Sequence, residues 1–163
     1  MASGNTLLVF TPLANEPPSS NYATLDMRNS VPVLDFDATT QEAAVFTGVL
    51  PRNYAGGGLT VYLHWAASSA TSGTIGWDVA FERRLDGTDT IASDSFASAQ
   101  TVTAATVPGS AGIVKVTNVV ISDGANIDSL AVGESFRLRV RRDVSNDTAA
   151  GDAELIAVEL KET

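Results

Sequence analysis

The chain has no cysteine, which removes disulfides, thiolate metal sites and cysteine nucleophiles together. Its redox compartment stays open, because a chain without thiols is indifferent to oxidation. Histidine occurs once, as His64, so a histidine-rich transition-metal centre is excluded and any Ser-His-Asp triad would have to use that one ring. No Gly-x-Ser-x-Gly elbow presents a serine for such a role. Lysine is confined to Lys115 and Lys161, and the net charge is −9. Phosphate neutralisation needs a basic surface, so nucleic acid is not an expected partner. No apolar run approaches the roughly 20 residues that span a bilayer. The opening Met1-Ala2-Ser3-Gly4-Asn5 sets no basic region before an apolar stretch, so neither a membrane partner nor a secretory signal is expected. No motif calls for a cofactor.

What the 163 residues do contain is alternation. Leu59, Val61, Leu63 and Trp65 share one parity, and Trp77, Val79 and Phe81 share another. Successive strand side chains point to opposite faces, so both runs read as half-buried strands. Residues 66–74 between them are small and polar, without a helical stripe. The Phe136-Arg137-Leu138-Arg139-Val140-Arg141 run is the cleanest alternation in the chain. Further strands are expected over residues 22–28, 31–36, 44–50, 101–107, 113–121 and 153–160, with Pro32 restricting its segment to an edge or a strand start. A change of apolar parity near Asn118 predicts an irregularity there. Asp37 to Glu42 has near-capping-box spacing and predicts a single helical turn. Residues 91–100, anchored only by Phe96, read as a short helix or an irregular crossover. About eight strands with little helix predict one all-β domain, a jelly-roll-like antiparallel sandwich over residues 22–163, with an immunoglobulin-like sandwich as the alternative topology. Residues 1–21, with Pro12, Pro17 and Pro18, form an extended arm that either joins a neighbour's sheet or docks locally as a first strand.

Several constellations invite chemistry. Asp35 with Asp37, and Asp78 with Glu82, stand two and four apart, as a pair of glycosidase carboxylates sharing a strand face would. Strand acids beside arginines are more often ion pairs, and no catalytic residue is assigned. Loops 123–128 and 143–147 gather oxygen ligands that calcium would accept, yet Asp, Asn and Gly also form ordinary turns; no metal is assigned. Tyr54, Tyr62, Trp65 and Trp77 raise a sugar-stacking platform, with the tryptophans on core parity and the tyrosines free to be exposed. Arg137, Arg139 and Arg141 share one face of their strand, and Arg142 is read as extending the cluster. Asp78, Glu82 and Glu154 are expected alongside as cross-strand partners. The three arginines, with Tyr62 and His64, are also the candidate subunit interface, since guanidinium suits partly desolvated pairing.

The stretches Phe46-Thr47-Gly48-Val49-Leu50-Pro51-Arg52-Asn53-Tyr54, 58–83 and 136–159 resemble a group of small phage structural proteins of β-sandwich type. That resemblance spans most of the chain from about residue 22 and carries no catalytic motif. It implies a non-enzymatic virion component, a capsid decoration or tail knob, that self-associates, commonly as a homotrimer, and binds other virion proteins. A receptor- or carbohydrate-binding module of a surface appendage is the alternative expectation.

Overall fold

The computed structural model describes residues 4–163. Ten strands are present: β1 (Thr6–Phe10), β2 (Thr24–Arg28), β3 (Val31–Phe36), β4 (Ala43–Val49), β5 (Leu59–Ala67), β6 (Thr74–Arg84), β7 (Gln100–Thr106), β8 (Lys115–Ile121), β9 (Ser135–Arg142) and β10 (Ala153–Glu162). They form two antiparallel sheets, one in the order β2-β3-β10-β5-β8 with β1 added to β10, the other in the order β4-β9-β6-β7. The expected all-β, jelly-roll-like sandwich is the observed architecture. Among the described residues no helix is long and apolar enough to cross a membrane.

The alternation read from the sequence builds the core. Leu59, Val61, Leu63 and Trp65 on β5 face Trp77, Val79 and Phe81 on β6, and Phe136, Leu138 and Val140 on β9 complete the inner layer, all fully buried. Trp77 meets Phe36 edge-on with ring centroids 5.0 Å apart, and Phe10 stacks on Phe46 at 5.4 Å. Such pairs add to the area term that dominates burial. Trp65 donates its indole N–H to Thr117 Oγ1 at 3.0 Å, so its polar handle is satisfied inside the sandwich.

Several local expectations change. β8 pairs β5 without interruption from Lys115 to Ile121, so no irregularity sits at Asn118. Its alternation is regular, and the parity change reflects valines at the outward positions 116 and 120. The register shifts lie instead at Thr6/Leu8, Leu155/Ala157 and Ile75/Trp77. Residues 91–99 contain no helix and form the irregular crossover, the second of the two courses expected there. The Asp37–Glu42 segment makes capping-box-like bonds without a helix: Asp37 Oδ1 accepts from the Thr39 and Thr40 amides, and Glu42 accepts from the Asp37 amide. Those bonds, led by the Thr39 hydroxyl, hold the Asp37 carboxyl down at about 2. Pro32 lies at a strand start, before β10 begins to pair at Leu34. Thr6–Phe10 docks on this chain's own β10, the local course of the two expected for residues 1–21; residues 1–3 lie outside the described residues.

Arg142 corrects its assignment to the arginine cluster. It points inward, is fully buried and holds Asp147 through Nε and Nη2 at 2.7 and 3.1 Å. Its remaining N–H groups donate to the carbonyls of Phe36, Ala149 and Gly151. Glu154 is corrected too: it lies on β10 in the other sheet and pairs with Arg28 at 2.9 Å.

Candidate functional site

The four-stranded sheet has an unusual outer face, because residues that should be solvated there are covered. Asp78, Ala80 and Glu82 project outward from β6, yet Ala80 and Glu82 are fully buried and Asp78 nearly so. Two connections account for it. Residues 15–23 run along the free edge of β4, where Glu16 N–H donates to the Val45 carbonyl at 2.8 Å and Asn15 Oδ1 accepts from the Val45 amide at 2.9 Å. This pairing also closes an edge that would otherwise be open to other chains. On the opposite side, residues 94–97 lie over β6. Ala97 N–H donates to the Phe81 carbonyl at 2.8 Å, and the Ser95 amide donates to Glu82 Oε1 at 2.6 Å.

Between these walls β9 forms the floor of a groove. One cavity of 250 Å³ is lined by Pro18, Ser20 and Asn21 from the first wall, Phe96 from the second and the three arginines below. A second, of 460 Å³, continues it past Arg137 and Asp94 toward Glu16, Arg84 and the exposed Ile91. β9 is hydrogen-bonded on both sides, to β4 and β6, so the floor is rigid.

The arginines are not equivalent. Arg141 makes a two-pronged pair with Asp78, Nε to Oδ1 at 2.9 Å and Nη2 to Oδ2 at 3.1 Å. Arg137 donates to Glu82 at 2.9 Å and also to Asp94. Burial works against the Arg137 charge, but Asp94 and then Glu82 outweigh it and leave its pKa above the usual range. Asp78 and Glu82 are thus the expected ladder partners. Arg139 is the exception. Its cross-strand neighbours are Val45 and Ala80, and among the described residues it makes no ion pair or hydrogen bond; its Nε is buried without an acceptor. Its guanidinium lies 4.6 Å over the Phe96 ring, and Arg137 lies 5.1 Å from the same ring. Burial, and then the charge of Arg141, push the Arg139 pKa down.

The other candidate residues lie elsewhere. Tyr62 and His64 are on the outer face of the six-stranded sheet, on the far side of the sandwich from the arginines. Tyr62 stands between Asn118 and Glu159, and His64 between Val116 and Ala157. One flat interface therefore does not hold all five. Tyr54, which the sequence left free to be exposed, is buried, and its Oη accepts from the Gly58 amide at 2.9 Å. The two carboxylate pairs divide as well. Asp78 and Glu82 are tied to arginines, while Asp35 sits on the six-stranded sheet, raised to about 6 by burial and then by Glu154 and other nearby acids. In the loops proposed for calcium, Asp128 accepts from the Arg83 amide, Asp143 from the Ser145 hydroxyl and Asp147 from Arg142. Among the described residues no group of three or more His, Asp or Glu is placed to hold a metal ion.

The wall residues Ser20, Asn21, Asp94 and Phe96 were missed as site residues. Only Phe96 carried a signal, as the lone large apolar side chain of its segment; the others meet the arginines through contacts distant in sequence.

No protein-family model matches the sequence, and no curated protein matches it; the resemblance to phage virion proteins has no family match behind it. Solved structures do resemble the fold. The chain is similar to CBM35 from Cellvibrio japonicus Abf62, with a TM-score of 0.52, 9% identity and 95% and 92% of the two chains covered. The C-terminal CBM6 of LamC, a laminarinase from Zobellia galactanivorans, gives 0.52 at 10% identity, covering 96% and 99%. The xylan-binding module CBM15 gives 0.52 at 10% identity, covering 96% and 97%. At these identities the likeness establishes a shared fold: the chain has the jelly-roll-like sandwich of carbohydrate-binding modules.

Proposed function

We propose that this protein is a non-catalytic binding module whose groove along β9 takes a saccharide chain. The observation that carries this reading is the groove itself, preformed on a doubly paired strand and lined by planar hydrogen-bonding groups. Arginine, asparagine and carboxylate side chains offer paired donors or acceptors in fixed geometry, which suits neighbouring hydroxyls on a ring. A rigid floor spares the ordering cost that a loop site would carry. The groove is open along its length, as a polymer requires, and the fold likeness to carbohydrate-binding modules favours the same reading.

Affinity electrophoresis through gels containing soluble xylan, mixed-linkage β-glucan or polygalacturonate tests it. Retardation by at least one polymer is expected, and Asn21→Gly, which removes the side chain but keeps the left-handed backbone at φ 49° unstrained, should weaken it several-fold without lowering the melting temperature. Unchanged mobility in every gel would remove the proposal.

A second reading keeps the chain as a self-associating virion part. It is favoured by the outward, exposed Val114, Val116 and Val120 on and beside β8, an apolar stripe that a partner copy would cover. Light scattering across a concentration series decides it: a stable mass near three chains supports the assembly, and a monomer throughout excludes it.

A further inference from the structure

Arg139 and Arg142 are three positions apart on β9; Arg142 engages all five of its N–H donors, while Arg139 engages none among the described residues. Arg139 is half-buried, with its Nε shut off from water and left without an acceptor, and such an unmade hydrogen bond costs free energy. Its direct cross-strand neighbours, Val45 and Ala80, carry no side-chain acceptor, and the nearby Asp78 and Glu82 are bonded to Arg141 and Arg137. Phe96 fixes the guanidinium from one side by cation–π contact. The Arg139 side chain lines the 250 Å³ cavity together with Ser20 and Asn21.

The pairing of charges singles out the same residue. Arg84, Arg137, Arg139 and Arg141 face Asp78, Glu82 and Asp94 across this surface. With Glu16 in the adjoining cavity, four cations meet four anions, so the groove is balanced in total and Arg139 is the cation in it without a direct partner among the described residues. Glu16, the remaining acid, lines the adjoining cavity and accepts from the Thr47 hydroxyl instead.

We infer that Arg139 is the anchor for a carboxylate on the ligand, and that the groove's saccharide is an acidic one carrying uronate residues. The carboxylate supplies the paired acceptors the fork lacks, while the Ser20 hydroxyl and Asn21 amide meet ring hydroxyls. A peptide is a poorer occupant, because both edges of β9 are already paired and leave no backbone to extend. This inference rests on the saccharide reading for the identity of the ligand, though not for the carboxylate site itself.

The test compares trigalacturonate with its neutral galactose counterpart by calorimetry, beside an NMR titration of the Arg139 Nε–Hε signal with acetate. The acidic trimer is expected to bind at least ten-fold more tightly than the neutral one. Arg139→Gln should abolish that preference while melting no lower than wild type, and Arg139→Lys should restore part of it. Equal binding of the two trimers overturns the carboxylate anchor and leaves the saccharide reading standing. An acetate-dependent Arg139 shift with neither trimer bound supports the anchor and overturns a uronate chain as its occupant. Neither trimer binding and no shift overturns the inference, while the gels decide the saccharide reading separately. Self-association that disappears in Arg139→Gln would hand the guanidinium to a partner copy and overturn the proposal.

Discussion

A guanidinium carries five N–H donors in a fixed fork, and burying it is tolerable only when they are used. Arg142 meets that condition by tying the end of β3 and the 143–152 loop to β9. Arg142→Met should therefore strand Asp147 and three carbonyls, costing about 3–5 kcal/mol, read as a fall in the urea midpoint. Asp35 works in the opposite sense. Its carboxyl is raised to about 6 from an ordinary 3.8, so the native state holds a proton that the unfolded chain releases. This group's contribution is greatest below pH 3.8, is lost as pH rises toward 6, and stays lost above that. Asp35→Asn should raise stability at pH 7 by on the order of 1 kcal/mol, after allowing for solvent screening at a partly exposed site, and should flatten the profile between pH 4 and 6. Neither role was legible in the sequence. Arg142 follows three alternating arginines and reads as a fourth outward one, although strict parity already places it inward beside Val140. Asp35 looks like any strand acid until Asp26, Glu154 and Asp152 gather round it.

At the scale of elements, the β2–β3 hairpin turns through Asn29 and Ser30, both in the left-handed region at φ 47° and 65°. This is the two-residue turn that favours glycine second. Ser30→Gly should gain about 0.5–1 kcal/mol, visible as a higher denaturation midpoint without change of register. The 123–128 and 143–147 loops use carboxylates in internal bonds, so millimolar calcium or a chelator should leave the melting temperature unchanged; a calcium-specific rise would contradict this. Strands with one buried face were readable in advance. Phe136 to Arg141 and Leu59 to Trp65 alternate cleanly because the core takes every second residue. β8 misled because Val116 and Val120 face outward, and hydropathy alone cannot tell an exposed valine from a buried one. The groove walls were invisible for a different reason: residues 15–23 and 94–97 have no periodicity, and their positions depend on bonds to strands far along the chain.

For the whole molecule, local and global electrostatics oppose each other. The groove presents one guanidinium without a direct partner among the described residues, while the chain as a whole is strongly negative. An acidic ligand approaching from a distance meets repulsion that salt screens first, since the screening length falls from about 30 Å at 0.01 M to about 10 Å at 0.1 M. Association of trigalacturonate should therefore speed up between 10 and 100 mM NaCl, then slow as contact pairing weakens. Stopped-flow kinetics would show that maximum. A rate that only falls from the lowest salt upward would mean the groove's own field dominates. Composition made the negative total plain at once, but its uneven distribution appears only when the sheets are assembled.

The floor of the groove belongs to the most deeply paired part of the sandwich, whereas its walls are connections resting on that part. Stability and selectivity are therefore written in different segments of the chain. Residues 18–21 and 91–97 should tolerate replacement, lengthening or randomisation while β4, β9 and β6 hold their register. That separation makes the protein a natural platform for a retargeting library, in which the plate stays constant and the two rails are redrawn for each new ligand.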